Sequence, residues 1–250
     1  MEFSYDLLLL VFVGFIAGMI NILAGGGSLL TLPMLIFLGL PPNIANATNR
    51  IALIIQNIFA VKGFQSKGVS TFPFSIYLAV SATFGAIIGA YIAVDIKGEF
   101  FNKILAVIMV IIVFYMVFKP KINTKEVMER LTGKYLWRGI VVFFFIGIYG
   151  GFIQAGIGFI ILLALSSINR LSLVKSNAVK VFVVLIYSLS AVAIFAYNDI
   201  INWKYGLILS IGNAAGGWIM SRWSVKKGDG LVRIFLIIMV TVMAIKLWFF

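Results

Sequence analysis

The sequence predicts an all-α polytopic membrane protein built from two inverted repeats, each with about five helical segments. Of its 250 residues, 62% are hydrophobic and 11% are charged, which is more apolar surface than one water-soluble core can bury. The apolar residues occupy every face of each segment, whereas strands of membrane β-barrels alternate apolar and polar residues. Similar stretches also recur in the same order in both halves of the chain. Helices in a bilayer are therefore the expected structure.

The apolar segments divide evenly between the halves. The first half has segments at about 7–24, 28–40, 46–62, 72–94 and 100–118. The second half has segments at about 139–155, 157–168, 176–196, 203–221 and 231–249. A helix needs roughly 20 apolar residues to cross a bilayer, and 28–40 and 157–168 are too short. Both follow glycine clusters, so we expect short broken or re-entrant helices that are covered by protein or line a polar cavity.

Basic residues lie between the apolar segments, so the net charge of +12 is a topology signal and not a nucleic-acid-binding face. If every segment changes side and the N-terminus is outside, most lysines and arginines fall in inner loops, as the positive-inside rule requires. The sequence thus predicts a multi-pass protein of the cytoplasmic membrane, with both termini outside and no nucleic-acid partner. The first apolar run follows Glu2 and Asp6, and no cleavable signal peptide is expected.

Three pairs of stretches match between the halves with the same order and spacing. They are 14–21 with 147–154, 46–53 with 176–183, and 97–110 with 227–240. Duplication explains this pattern, and an odd number of segments in each half makes the repeats inverted. The predicted organisation is therefore a first membrane repeat at 1–118, a basic cytoplasmic linker at 119–138 and a second membrane repeat at 139–250.

The first candidate site lies at the glycine clusters before the two short helices. In transporters with inverted repeats, such a break lies near the midplane, and the next half-helix offers its N-terminal N–H groups to an anion. Alternatively, the glycines only permit close helix packing. The candidate residues are Gly25, Gly26, Gly27, Ser28, Gly156 and Gly158. A packing role alone is expected for Gly85, Gly89, Gly212, Gly216 and Gly217.

The second candidate site is a polar run at the start of segment 46–62 and its counterpart in the second half. The repeat match places Arg50 against Lys180, and no acidic residue lies near either one in sequence. Ionisable groups near the hydrocarbon are costly without a cavity or partner, and an anionic ligand would be that partner. Snorkelling of both side chains to the headgroups is the alternative. The further candidates are Thr48, Asn49 and Asn177, with the matched pair Asn21 and Gln154, which line the path or join helices.

Residue types that are absent exclude several functions. The chain has no cysteine and no histidine, and its eight acidic residues lie near segment ends or in loops. No carboxylate is thus placed to bind a cation or relay protons at mid-membrane. The G-x-x-x-x-G-K-[ST] loop of ATP-hydrolysing proteins is also absent. We therefore expect no enzyme, no metal site and no cofactor.

The motif GGGSLL at 25–30, followed by Pro33 and GLP at 39–41 and by ATNR at 47–50, resembles the TauE/SafE sulfite exporter family. The resemblance covers nearly the whole chain, and the glycine-rich stretch 147–158 agrees with it. It implies transport of a small anion such as sulfite, thiosulfate or an organosulfonate, with 25–28 and 48–50 at the site. In the second half, NAVK at 177–180 replaces a threonine-asparagine pair, so a symmetric site is not implied.

These observations predict a secondary transporter, and an exporter in particular, in which the two repeats flank one anion site and access alternates. Its partners would be a small anion and the lipid bilayer. Two alternatives stay open, namely an anion channel or uniporter and a membrane scaffold subunit that transports nothing. The glycine-rich faces of 72–94 and 203–221 suit a homodimer as well as internal packing.

Overall fold

The computed structural model describes residues 5–96, 103, 107 and 128–249, with side chains up to residue 226 apart from residue 95. The predicted segment 100–118 and most of the predicted linker 119–138 lie outside these residues. The described residues form eight helices and no strands. The helices are α1 Tyr5–Leu23, α2 Ser28–Phe37, α3 Pro42–Gln65, α4 Phe74–Asp95, α5 Gly133–Phe152, α6 Ile157–Ile168, α7 Leu173–Tyr197 and α8 Trp203–Phe249.

Helix length and composition confirm a multi-pass membrane protein. Four of the described helices, α1, α4, α5 and α7, are long and apolar enough to cross a bilayer. The predicted short helices are α2 with 10 residues and α6 with 12. Two details differ from the sequence-based expectation. Helix α5 begins at Gly133, before the predicted segment, and α8 joins the two predicted segments 203–221 and 231–249 in one helix of 47 residues. No proline, which would remove a backbone hydrogen-bond donor, lies between the two segments in the sequence of α8.

Glycines let two helix pairs pack backbone against backbone, α4 with α5 and α1 with α8. A Cβ on Gly85 would overlap the carbonyl oxygen of Phe144, and a Cβ on Gly212 would overlap that of Val11. The packing role expected for the glycines of α4 and α8 is therefore confirmed. Small residues commonly have this role between membrane helices. The same close approach occurs at Gly89 and Gly216, whereas Gly217 packs against the side chain of Gln56 on α3.

Helices α1 and α3 both run parallel to α8. In each pair, later residues of one helix contact later residues of the other. These contacts are Gly14–Leu209 and Gly18–Asn213 for α1, and Thr48–Gly206 and Gly63–Ser221 for α3. Since α1 and α3 start on the same side, α2 returns the chain towards the start of α1. Helix α6 does the same, because Asn169 at its end donates to the carbonyl oxygens of Arg130 at 2.9 Å and Tyr135 at 3.4 Å, beside the start of α5.

Helices α3 and α7 cross antiparallel at the centre of the protein. Near the start of α3, the guanidinium of Arg50 lies 5.5 Å from the ring centre of Phe195 in the last turns of α7. Near the end of α3, Phe64 lines a small cavity together with Ala178 at the start of α7. These directions support the inverted repeat, which stays a prediction.

Candidate functional site

The two breaks that precede the short helices meet at the backbone. Gly25 and Gly158 touch so closely that a Cβ on either would overlap the Cα of the other. Gly25 also has a φ of 82°, in the left-handed region that favours glycine. Gly26 packs against the ring of Phe159. In this conformation the glycine faces are occupied by protein, which is the packing role that sequence analysis left as the alternative.

The second break is bent by left-handed residues and held by a tyrosine. Gln154 and Gly156 have φ values of 63° and 66°. The Tyr149 hydroxyl donates to the carbonyl oxygen of Ala155 at 2.5 Å. Gln154 is 3% exposed, and its Oε1 has no hydrogen-bond partner. The repeat match pairs Gln154 with Asn21, but α5 ends before Gln154 whereas α1 continues past Asn21. The two breaks therefore differ in structure.

Arg50 of α3 caps the C-terminal end of α5. Its two terminal guanidinium nitrogens donate to the carbonyl oxygens of Gly150 at 2.5 Å and Gly151 at 2.9 Å, and Asn46 Nδ2 donates to that of Phe152 at 2.8 Å. The last carbonyls of a helix lack intrahelical partners and carry the negative end of the helix dipole. A buried cation therefore finds partial negative charge there. We call Arg50, Gly150 and Gly151 the Arg50 cap.

Lys180 of α7 caps the C-terminal end of α1 in the same way. Its Nζ donates to the carbonyl oxygens of Asn21 at 2.7 Å and Ile22 at 3.0 Å, and to Oδ1 of Asn177 at 2.5 Å. We call these four residues the Lys180 cap. Each cap joins a cation of one half to a helix end of the other half.

Both cations lie inside the protein. Arg50 is 0% exposed and Lys180 is 2% exposed, so neither side chain snorkels to the headgroups. Among the described residues, no hydrogen bond or ion pair joins either cation to a carboxylate. The two cations differ in the donors that they leave over, although Nδ2 of Asn177 in the Lys180 cap also has no partner. An ammonium has three donors, and Lys180 uses three, whereas Nε of Arg50 has no partner.

The other predicted residues join helices. Asn49 donates to Ser28 Oγ at 3.2 Å and accepts from Thr31 Oγ1 at 2.7 Å, which ties the start of α2 to α3. Thr48 Oγ1 accepts from the backbone N–H of Asn202 at 2.9 Å, just before α8. Gly27 packs against Ala17, and Asn21 Nδ2 donates to Gln56 Oε1 at 3.2 Å.

Sequence analysis missed several buried polar side chains that have an atom without a hydrogen-bond partner. Gln56, Asn57 and Asn213 are polar residues within apolar segments, and that interruption is a signal that could have found them. Tyr187 has no such signal, because a tyrosine reads as part of an apolar segment. The atoms concerned are Gln56 Nε2, Asn57 Nδ2, Tyr187 OH and Asn213 Oδ1.

The described residues form only helices, four of them able to cross a bilayer, and bury polar groups at the two breaks, which defines the class as a polytopic membrane protein. The sequence profile of the family described as Sulfite exporter TauE/SafE matches residues 10–247, and the chain belongs to this family. It is a membrane transporter and not an enzyme.

Three relatives cover nearly the same length. A "Probable membrane transporter protein" of Haemophilus influenzae is 30% identical over 99% of this chain and 96% of its own length. "Probable membrane transporter protein ORF9" of a Sinorhizobium species is 26% identical over 98% and 94%. "Probable membrane transporter protein YfcA" of Escherichia coli is 28% identical over 95% and 88%. No solved structure matches the chain.

Proposed function

We propose that this transporter is a secondary carrier of a small anion, with sulfite, thiosulfate or an organosulfonate as the substrate. It would export the anion across the cytoplasmic membrane by alternating access, with the N-terminus outside. The predicted outside C-terminus does not fit a continuous α8 that runs parallel to α1. A homodimer stays a prediction. The observation that carries the proposal is the pair of buried cations, Arg50 and Lys180, which have no described carboxylate partner and lie at the ends of the two broken helices.

The charge balance at these helix ends supports an anionic substrate. A buried ion is costly unless opposite charge compensates it. The end of a helix carries roughly half an elementary negative charge, which leaves part of each cation uncompensated. An anion that enters between the breaks supplies the missing negative charge, whereas a cation would add to the excess.

The arrangement of the caps supports alternating access. Arg50 links α3 to the end of α5, and Lys180 links α7 to the end of α1, so both caps cross between the two halves. A rocking motion of one half against the other has to break or exchange these bonds. An anion bound beside the caps would change the strength of these bonds, which would couple the motion to the anion.

Flux of radiolabelled sulfite into proteoliposomes tests the proposal. We expect saturable uptake with counterflow, and loss of most of the flux when Arg50→Met is combined with Lys180→Met. Lys204→Met is the matched control, because Lys204 is exposed near the start of α8. Flux that is linear in concentration and lacks counterflow would indicate a channel. A purified protein that moves no anion of this class would favour the scaffold alternative.

A further inference from the structure

We infer that Arg50 and Tyr187 form the pair that contacts the anion, and that Lys180 only holds the helix end. This assignment rests on the proposed function and divides roles between two cations that the repeat match makes equivalent. It also adds Tyr187, a residue of α7 that sequence analysis did not single out.

The donor count separates the two cations. All three N–H donors of the Lys180 ammonium are used, on two carbonyl oxygens of α1 and on the Asn177 side chain. An anion can reach Lys180 only by displacing one of these acceptors. The guanidinium of Arg50 has five donors, and Nε is buried without a partner while the two terminal nitrogens hold α5. Arg50 can therefore bind an anion and keep its cap.

Tyr187 places a second unused donor beside the same helix end. Its side chain is 0% exposed, and its hydroxyl has no hydrogen-bond partner. A Cβ on Gly150 would lie 3.0 Å from that hydroxyl oxygen, and the carbonyl oxygen of Gly150 accepts from Arg50. The hydroxyl and the guanidinium thus border one residue. The ring of Phe195 lies against the guanidinium, 5.5 Å from its carbon.

Two buried donors without an acceptor define the chemistry of the ligand. Buried donors normally have a partner, and a donor left without one costs free energy. A small oxyanion with at least two acceptor oxygens satisfies both donors at once, through a charge-assisted bond from Arg50 and a bond from the phenol. Sulfite and sulfonate groups have this arrangement of oxygens, and a cationic or purely apolar solute does not.

The experiment measures the dissociation constant of sulfite for the purified full chain in detergent, together with its apparent melting temperature. Tyr187→Phe removes one hydroxyl and keeps the ring, so we expect binding to weaken about tenfold without a loss of thermal stability. Ser188→Ala is the matched control, because Ser188 Oγ is also a buried hydroxyl without a partner on α7. We expect it to leave the affinity unchanged.

Lys180→Met completes the design, because it tests the role of Lys180 separately from that of Arg50. We expect a lower melting temperature and a sulfite affinity within about threefold of that of the unsubstituted protein, since the anion does not contact Lys180. Unchanged affinity in Tyr187→Phe, or loss of binding in a folded Lys180→Met protein, would overturn the assignment while leaving anion transport intact. If the unsubstituted protein binds neither sulfite, thiosulfate nor an organosulfonate, the proposed function fails and the assignment fails with it.

Discussion

The Arg50 cap and the Lys180 cap occupy matched places in the two halves but differ in what they leave available. Each cation is buried, and each donates to the last carbonyls of a helix from the other half. Lysine is a compact ion with three donors, whereas arginine carries five donors in a planar fork. After the helix end has been satisfied, Arg50 retains a charged donor without a partner, whereas the donor left in the Lys180 cap is the neutral amide Nδ2 of Asn177. The comparison teaches that matched positions in the two halves can share a mechanical role while one residue difference leaves a charged donor free in only one of them.

Replacement of Arg50 has the largest expected effect on transport. Arg50→Met removes the donors to Gly150 and Gly151 together with the unpartnered Nε. We expect sulfite flux in proteoliposomes to fall by about two orders of magnitude, because a charged hydrogen-bond donor to the anion and a helix cap are lost together. Flux close to that of the Lys204→Met control would show that Arg50 is not part of the transport path.

Replacement of the glycines at the meeting point of the breaks tests what the two halves share. Gly25→Ala and Gly158→Ala each force a methyl group into the opposite backbone, so we expect both to lower the free energy of unfolding by about 3 kcal/mol. Gly39→Ala is the control, because Gly39 has a φ of 89° but no atom within 4 Å of its added Cβ. Thermal denaturation in detergent measures the difference, and equal melting temperatures for all three variants would contradict the contact.

Removal of the Lys180 ammonium tests its mechanical role. Lys180→Met deletes three hydrogen bonds, each worth about 0.6 kcal/mol between membrane helices, so stability should fall by about 2 kcal/mol. Transport should decrease less than in Arg50→Met when both are compared per folded molecule. A larger loss of flux in Lys180→Met would reverse the comparison between the caps.

Thr48 has the smallest expected effect, although the family resemblance places it at the site. Thr48→Val keeps the shape and removes the acceptor for the N–H of Asn202, which costs about 0.6 kcal/mol. The sulfite affinity should stay unchanged, because the Thr48 hydroxyl is engaged at the start of α8. Weaker sulfite binding by Thr48→Val, measured by titration with Thr48→Ser as the control, would return this residue to the anion path.

Hydropathy alone predicted much of the fold, because a chain surrounded by lipid has to satisfy its backbone hydrogen bonds internally. Apolar residues on every face require helices in lipid, and α2 and α6 are as short as the segments after the glycine clusters predicted. The length of α8 was not predictable in this way, since a helix interior is continued by local hydrogen bonds whether or not a basic stretch interrupts the apolar pattern.

The sequence by itself determined the membrane class, the position of the broken helices and the equivalent positions of Arg50 and Lys180 in the repeat match. Hydropathy, glycine content and internal repetition can all be read from the chain without its fold. Only the tertiary structure decided the partners of those cations. The bond from Arg50 to Gly150 spans 100 residues and the bond from Lys180 to Asn21 spans 159. Which helix end meets which cation depends on how the two halves pack, and no local pattern encodes that packing. For the same reason, the unpartnered hydroxyl of Tyr187 is visible only when the helices around it are in place.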